Sequence, residues 1–145
     1  MKPVDMLFPD HNPANGASGD CFRCCVASIL ELPREEVPHF MEADWERESP
    51  AWYADICQWL APRGLAYLDW EIAPEYFGPA WFERIALEAR FDVHHVMCGV
   101  SFSGHQHAVV GRNGVVVHDP HPSRRGLAGP GPHGYRFGFF MLRGL

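Results

Sequence analysis

Long apolar runs are missing: nowhere do about eighteen hydrophobic residues follow one another, so no stretch reads as a membrane-spanning helix. The first residues, Met1-Lys2-Pro3-Val4-Asp5-Met6, lack the apolar segment of a secretory signal. Positive charge is scarce. Twelve Lys and Arg stand against eighteen Asp and Glu, a formal net charge of −6. That balance disfavours nucleic acid as a partner, because the phosphate field would repel the chain as a whole. There is no internal repeat. The 13 prolines and 14 glycines exclude a helical bundle or coiled coil and predict short elements joined by ordered loops. The five cysteines are odd in number and without framework spacing, which reads as a reduced, cytoplasmic chain with free thiols.

What is present is globular: 145 residues, 47% hydrophobic and 13% aromatic, suit a single domain over 1–145. Charge is uneven along the chain. Carboxylates dominate from Glu31 to Glu48, whereas from Ser101 onward there are five arginines and one acid, Asp119. Two solvated faces account for this; a sharper reading is that the arginine-rich end helps hold a carboxylate-bearing ligand.

Phe22, Cys25, Val26, Ile29 and Leu30 recur at helical spacing, so a helix with one buried face is expected from Cys21 to Leu32. Asp20 would be its N-cap and Pro33 would close it. A second helix should start at Ser49 (N-cap) and Pro50 and end before Gly64, and a short one should cover Trp81 to Arg90. Strands are expected at 65–72, 93–100, 107–111, 115–118 and 135–142, the third and fourth forming a hairpin about Arg112-Asn113-Gly114. Helices first and an antiparallel sheet of about four to six strands afterwards is an α+β arrangement.

Three residues carry chemistry. Cys21 sits in the first turn of the first helix, where backbone N–H groups have no intrahelical partner and the dipole favours a thiolate nucleophile. Cys25 falls on the buried stripe and reads as packing, as do Cys57 and Cys98. A thiol nucleophile works with a base, and the base with a group that orients it. His107 opens one strand of the hairpin and Asp119 follows the other. A two-residue turn would put His107 opposite Pro120 and turn Asp119 to the other face. A three-residue loop with Gly114 left-handed pairs 111 with 115, 109 with 117 and 107 with 119. The second register is the expected one.

The segments Gly19-Asp20-Cys21-Phe22-Arg23-Cys24-Cys25-Val26-Ala27-Ser28-Ile29-Leu30, Val37-Pro38-His39-Phe40, Gly104-His105-Gln106-His107-Ala108-Val109-Val110 and Val117-His118-Asp119-Pro120 resemble the papain-like cysteine peptidases. Within that group they are most similar to the peptidases that remove double-glycine leaders from bacteriocins and to their small bacterial and phage relatives. The resemblance covers both ends of the fold and little between Glu42 and Cys98. It implies a papain-like fold, a Cys21 nucleophile, a His107 base, an orienting Asp119, a peptide or protein substrate and no cofactor. Such enzymes carry a Gln before the Cys that binds the oxyanion. Here the only Gln residues are Gln58 and Gln106, which leaves Asn12 and Asn15 as the upstream donors.

Three other readings stand beside this one. Cys21-x-x-Cys24 with the later cluster His105, His107, His118 and His121 has elements of a metal site, but the cysteines share a helix and a second ligand pair is missing, so no metal is assigned. The same fold without turnover would be a peptide-binding module. A phage-type peptidoglycan amidase or endopeptidase would use the same chemistry on another substrate. His94 and His95 lie in a strand, where one faces inward as a hydrogen-bonded core histidine. The five tryptophans, with no basic residues interleaved, read as core and rim.

Overall fold

Five extended segments pair into one antiparallel sheet in the computed structural model: β1 (Leu65–Ile72), β2 (His94–Val100), β3 (Gln106–Arg112), β4 (Val115–His118) and β5 (Tyr135–Leu142). Their order is β1-β5-β2-β3-β4, so the last strand lies between the first two. The structure describes residues 1–10, 12, 14, 19–41, 51–72, 92–132 and 134–144. The expected starts at Ser49 and Pro50, the helix expected over Trp81–Arg90, and Asn15 lie outside them.

Helix α1 (Cys21–Leu30) ends earlier than the apolar pattern suggests. Glu31 takes a left-handed φ of 58°, and its N–H and that of Leu32 both return to the Ala27 carbonyl. The helix is thus closed by a backbone cap before Pro33 is reached. Helix α2 (Trp52–Leu60) runs into a 3-10 turn, Ala61–Arg63, and stops at Gly64, whose φ of 70° suits glycine.

One face of the sheet receives both helices. Phe22, Cys25 and Val26 of α1 and Ile56 and Leu60 of α2 bury against Tyr67, Val96, Ala108 and Val110. The Phe22 ring meets Trp52, Tyr67 and Phe40 edge-on at centroid distances of 5.7, 6.1 and 6.4 Å. Its truncation to alanine would cost about 3–5 kcal/mol. Strand alternation sends Met97, Val109, Phe137 and Phe139 into a second, smaller cluster, which packs around His95. The protein is therefore a small α+β fold in which the Cys21-bearing helix packs on a five-stranded antiparallel sheet.

Helix α1 is buried beyond a single stripe, since Cys24, Ala27 and Ser28 are also inaccessible. The N-terminal segment covers this other side. Lys2 N–H donates to the Ser28 carbonyl (3.0 Å), Val4 N–H to Ser28 Oγ (2.9 Å) and the Cys24 thiol to the Asp5 carbonyl (3.3 Å). His118 Nε2–H donates to Val4 O (3.0 Å) and Met6 N–H to Pro120 O (3.0 Å), which fastens the segment to the end of β4. Among the described residues no helix is long and apolar enough to cross a membrane.

Candidate active site

The β3–β4 hairpin does not have the expected register. Arg112 pairs with Val115, so Asn113-Gly114 forms a two-residue turn with φ of 53° and 84°. Two left-handed residues give the turn whose twist matches the flanking strands, and Asn-Gly is its favoured sequence. By itself this turn would send Asp119 to the wrong face. A bulge corrects it: Gly111 pairs with Val116 but Val110 pairs with His118, so β4 carries one extra residue there. The shift restores Asp119 to the side of His107, and His107 Nε2–H donates to Asp119 Oδ1 at 2.8 Å. The expected neighbours do meet, through a different geometry. The His121 ring lies beside that of His107, with centroids 6.1 Å apart and planes perpendicular.

Both members of the pair are almost fully buried, at 7% exposure for His107 and 5% for Asp119. Asp119 is held from several sides. Oδ1 also accepts the His121 N–H (2.8 Å), Oδ2 accepts the Gly126 N–H (2.7 Å), and its carbonyl accepts from the Arg124 guanidinium. Burial alone would push this carboxyl upward, but the His107 hydrogen bond and the two N–H donors outweigh it and hold Asp119 below the usual carboxylate range. His107 shows the complementary effect. Burial acts to lower it, while the hydrogen bond with Asp119, the neighbouring Cys21 side chain and the charges of both raise it to about 9.

Cys21 stands at the first position of α1 and is half-buried. It lines a cavity of about 590 Å³ together with His107 and Asp119; Phe102, His121 and Arg125 form part of the remaining wall. Three thiols outside the cavity lining are set by burial. Burial pushes Cys24 and Cys25 up and Cys98 up to about 12, which leaves them protonated packing groups.

Asp20 departs from its expected role. It occupies the N-cap position of α1 yet makes no side-chain cap hydrogen bond. Fully buried, it accepts the N–H groups of Leu7 and Phe8, each at 3.2 Å, through separate oxygens. It therefore ties the N-terminal segment, which contributes Met6, Pro9 and Asp10 to the cavity wall, to the residue preceding Cys21. No short-range motif in the sequence signals such a contact. An aspartate just before the helix satisfies the cap pattern equally well whether its oxygens turn inward or outward.

The upstream asparagines do not complete the site. Asn12 is exposed and is not part of the cavity lining, and Asn15 lies outside the described residues. His118 is used structurally, on Val4, and lies 3.7 Å from Asp5. His121 Nδ1 accepts the Ser123 N–H at 3.0 Å, and His105 lines the cavity. Among the described residues no three His, Cys, Asp or Glu side chains are grouped to hold a metal ion. His95 is the inward histidine of its strand: it has no exposure, and its Nε2 accepts the Gly114 N–H at 3.0 Å. No protein-family model, no curated protein and no solved structure matches this chain.

Proposed function

We propose that the protein is a cysteine-dependent hydrolase of peptide or related amide bonds, with a papain-like arrangement of its helix and sheet. One observation carries this reading. A buried His107–Asp119 pair opens onto the same cavity as Cys21.

The chemistry follows from the roles these atoms can take. With Nε2 committed to Asp119, Nδ1 is the ring nitrogen left for the thiol. The raised His107 keeps its proton at neutral pH and stabilises a thiolate beside it. Sγ attacks the scissile carbonyl carbon and the carbonyl oxygen becomes an oxyanion. The Cys21 N–H, in the first turn of α1, has no intrahelical partner and faces this charge together with the helix dipole. His107 then gives its proton to the departing amine, the C–N bond breaks, and a thioester remains on Cys21. Water, deprotonated by the same imidazole, attacks the thioester; the acid is released and the thiolate re-forms. Asp119 fixes the ring orientation throughout.

A peptide-binding module with an inert thiol is the second reading, favoured by the exposure of Asn12 outside the cavity. Incubation with a degenerate peptide library supplemented with peptidoglycan fragments, read by mass spectrometry, separates the two. The hydrolase reading expects cleavage by the wild type and none by Cys21→Ala or His107→Ala. Retention of peptides by all three proteins without any cleavage would establish the binding module instead.

A further inference from the structure

We infer, building on the hydrolase reading, that the cavity selects a substrate bearing a carboxylate, which Arg125 receives above the face of Phe102. The arginines of the second half of the chain are not equivalent. Arg112 grips Asp92 through two hydrogen bonds (2.6 and 2.8 Å), Arg124 pairs with Asp5 at 2.6 Å, and Arg136 pairs with Asp69. Arg125 has no carboxylate partner among the described residues. Its Cζ lies 4.1 Å from the centroid of the Phe102 ring, and both side chains line the cavity that holds Cys21.

Both groups are fixed relative to the reacting atoms. Phe102 belongs to a turn that leads into β3 just before His107, closed by Ser101 N–H to His105 O (2.8 Å) and Gly104 N–H to Ser101 O (3.0 Å). Arg125 immediately precedes Gly126, whose N–H donates to Asp119 Oδ2. The two loops thus bring a cation and an aromatic face to the cavity from either side of the histidine–carboxylate pair. Phe102 is 52% exposed, so its ring is accessible from the cavity.

The charge of the wall agrees. Among the described residues that line the cavity, Asp10 and Asp119 are the acids. Asp119 spends both oxygens on His107, His121 and Gly126, and Asp10 is exposed. Protonated His107 is matched by Asp119, which leaves Arg125 as a lining cation without a carboxylate partner among the described residues. A guanidinium stacked on a ring keeps its edge N–H groups free for a two-point grip on a planar carboxylate, while the ring covers the methylene stem behind it. Either an Asp or Glu side chain or a terminal carboxylate offers that chemistry.

The test compares alkylation of Cys21 by iodoacetate and by iodoacetamide, resolved by peptide mass spectrometry. The anionic reagent should gain on the neutral one in the wild type, and the ratio should fall about fivefold in Arg125→Gln with the iodoacetamide rate unchanged. Arg125→Lys, which keeps the charge, should retain most of the preference, and salt raised from about 20 mM to about 500 mM should erase it in the wild type. N-iodoacetyl derivatives of glutamate α-amide, glutamine free acid and glutamine amide distinguish the side-chain from the terminal carboxylate. A ratio identical in wild type and Arg125→Gln, or insensitive to salt, overturns the inference while leaving the hydrolase reading intact. A Cys21 inert to iodoacetamide overturns that reading and the inference with it.

Discussion

His95 and His107 lie in one ladder, where His95 pairs with Gly111 and Gly99 with His107, yet the fold drives them in opposite directions. His95 is enclosed by Met97, Phe137 and Phe139, and burial depresses it to about 4. Gly111 is needed opposite it, since a β-carbon there would collide with the imidazole and with the Met97 thioether. His107 is nearly as buried, but a carboxylate and a thiol face it, and it rises to about 9. Burial alone therefore yields a neutral packing histidine. Burial beside a fully hydrogen-bonded carboxylate, at the wall of a cavity, yields a charged one.

The contrast is broken most strongly by truncating each ring. His107→Ala should abolish cleavage and slow Cys21 alkylation at pH 6.5 by at least about tenfold, with the fold retained by circular dichroism. His95→Ala should leave the alkylation rate of folded protein unchanged but cost about 2–4 kcal/mol in urea unfolding, because it opens a cavity and orphans the Gly114 N–H. Equal behaviour of the two variants would dissolve the distinction.

Asp119→Asn sharpens it. Removing the charge should move the His107 titration, followed by NMR of the ring protons, from about 9 back toward 6.5 and reduce reactivity by roughly tenfold. The pH dependence of stability then separates the two rings by sign. Raised His107 contributes stability that is fully present below pH 6.5 and is lost as pH rises through about 9. Depressed His95 contributes stability present above 6.5 and lost as pH falls toward about 4. Unfolding midpoints should fall on both sides, and Asp119→Asn should flatten the alkaline side while leaving the loss between pH 6.5 and about 4 in place. The smallest change is expected at the surface: Asp92→Ala, which breaks an exposed pair with Arg112, should shift stability by less than about 1 kcal/mol.

Periodicity made most of the scaffold readable. The strands at 65–72, 115–118 and 135–142 have the expected bounds, because alternation and turn residues are local signals. The hairpin register was harder. Asn113-Gly114 satisfies a two-residue turn and Gly114 a three-residue loop, and nothing in Val115-Val116-Val117 marks which residue bulges; all three are exposed on an edge strand, where packing imposes no parity. His107 and Asp119 meet, as a three-residue loop would bring them together, because the bulge restores the parity that the two-residue turn alone removes. Contacts of long sequence separation stayed hidden, above all the tie from Asp20 to Leu7 and Phe8 and the cover of α1 by residues 1–8. The spent and unspent arginines were equally unreadable, because which carboxylate each one finds is a property of the folded chain.

The central claim is that His107 makes the Cys21 thiol a nucleophile. The direct measurement is the rate of iodoacetamide alkylation at Cys21 against pH, for wild type and for His107→Ala. The account predicts a rate in the wild type that is already high near pH 6 and depends on His107. Superimposable profiles for the two proteins, each rising only in the alkaline range of an ordinary thiol, would contradict it.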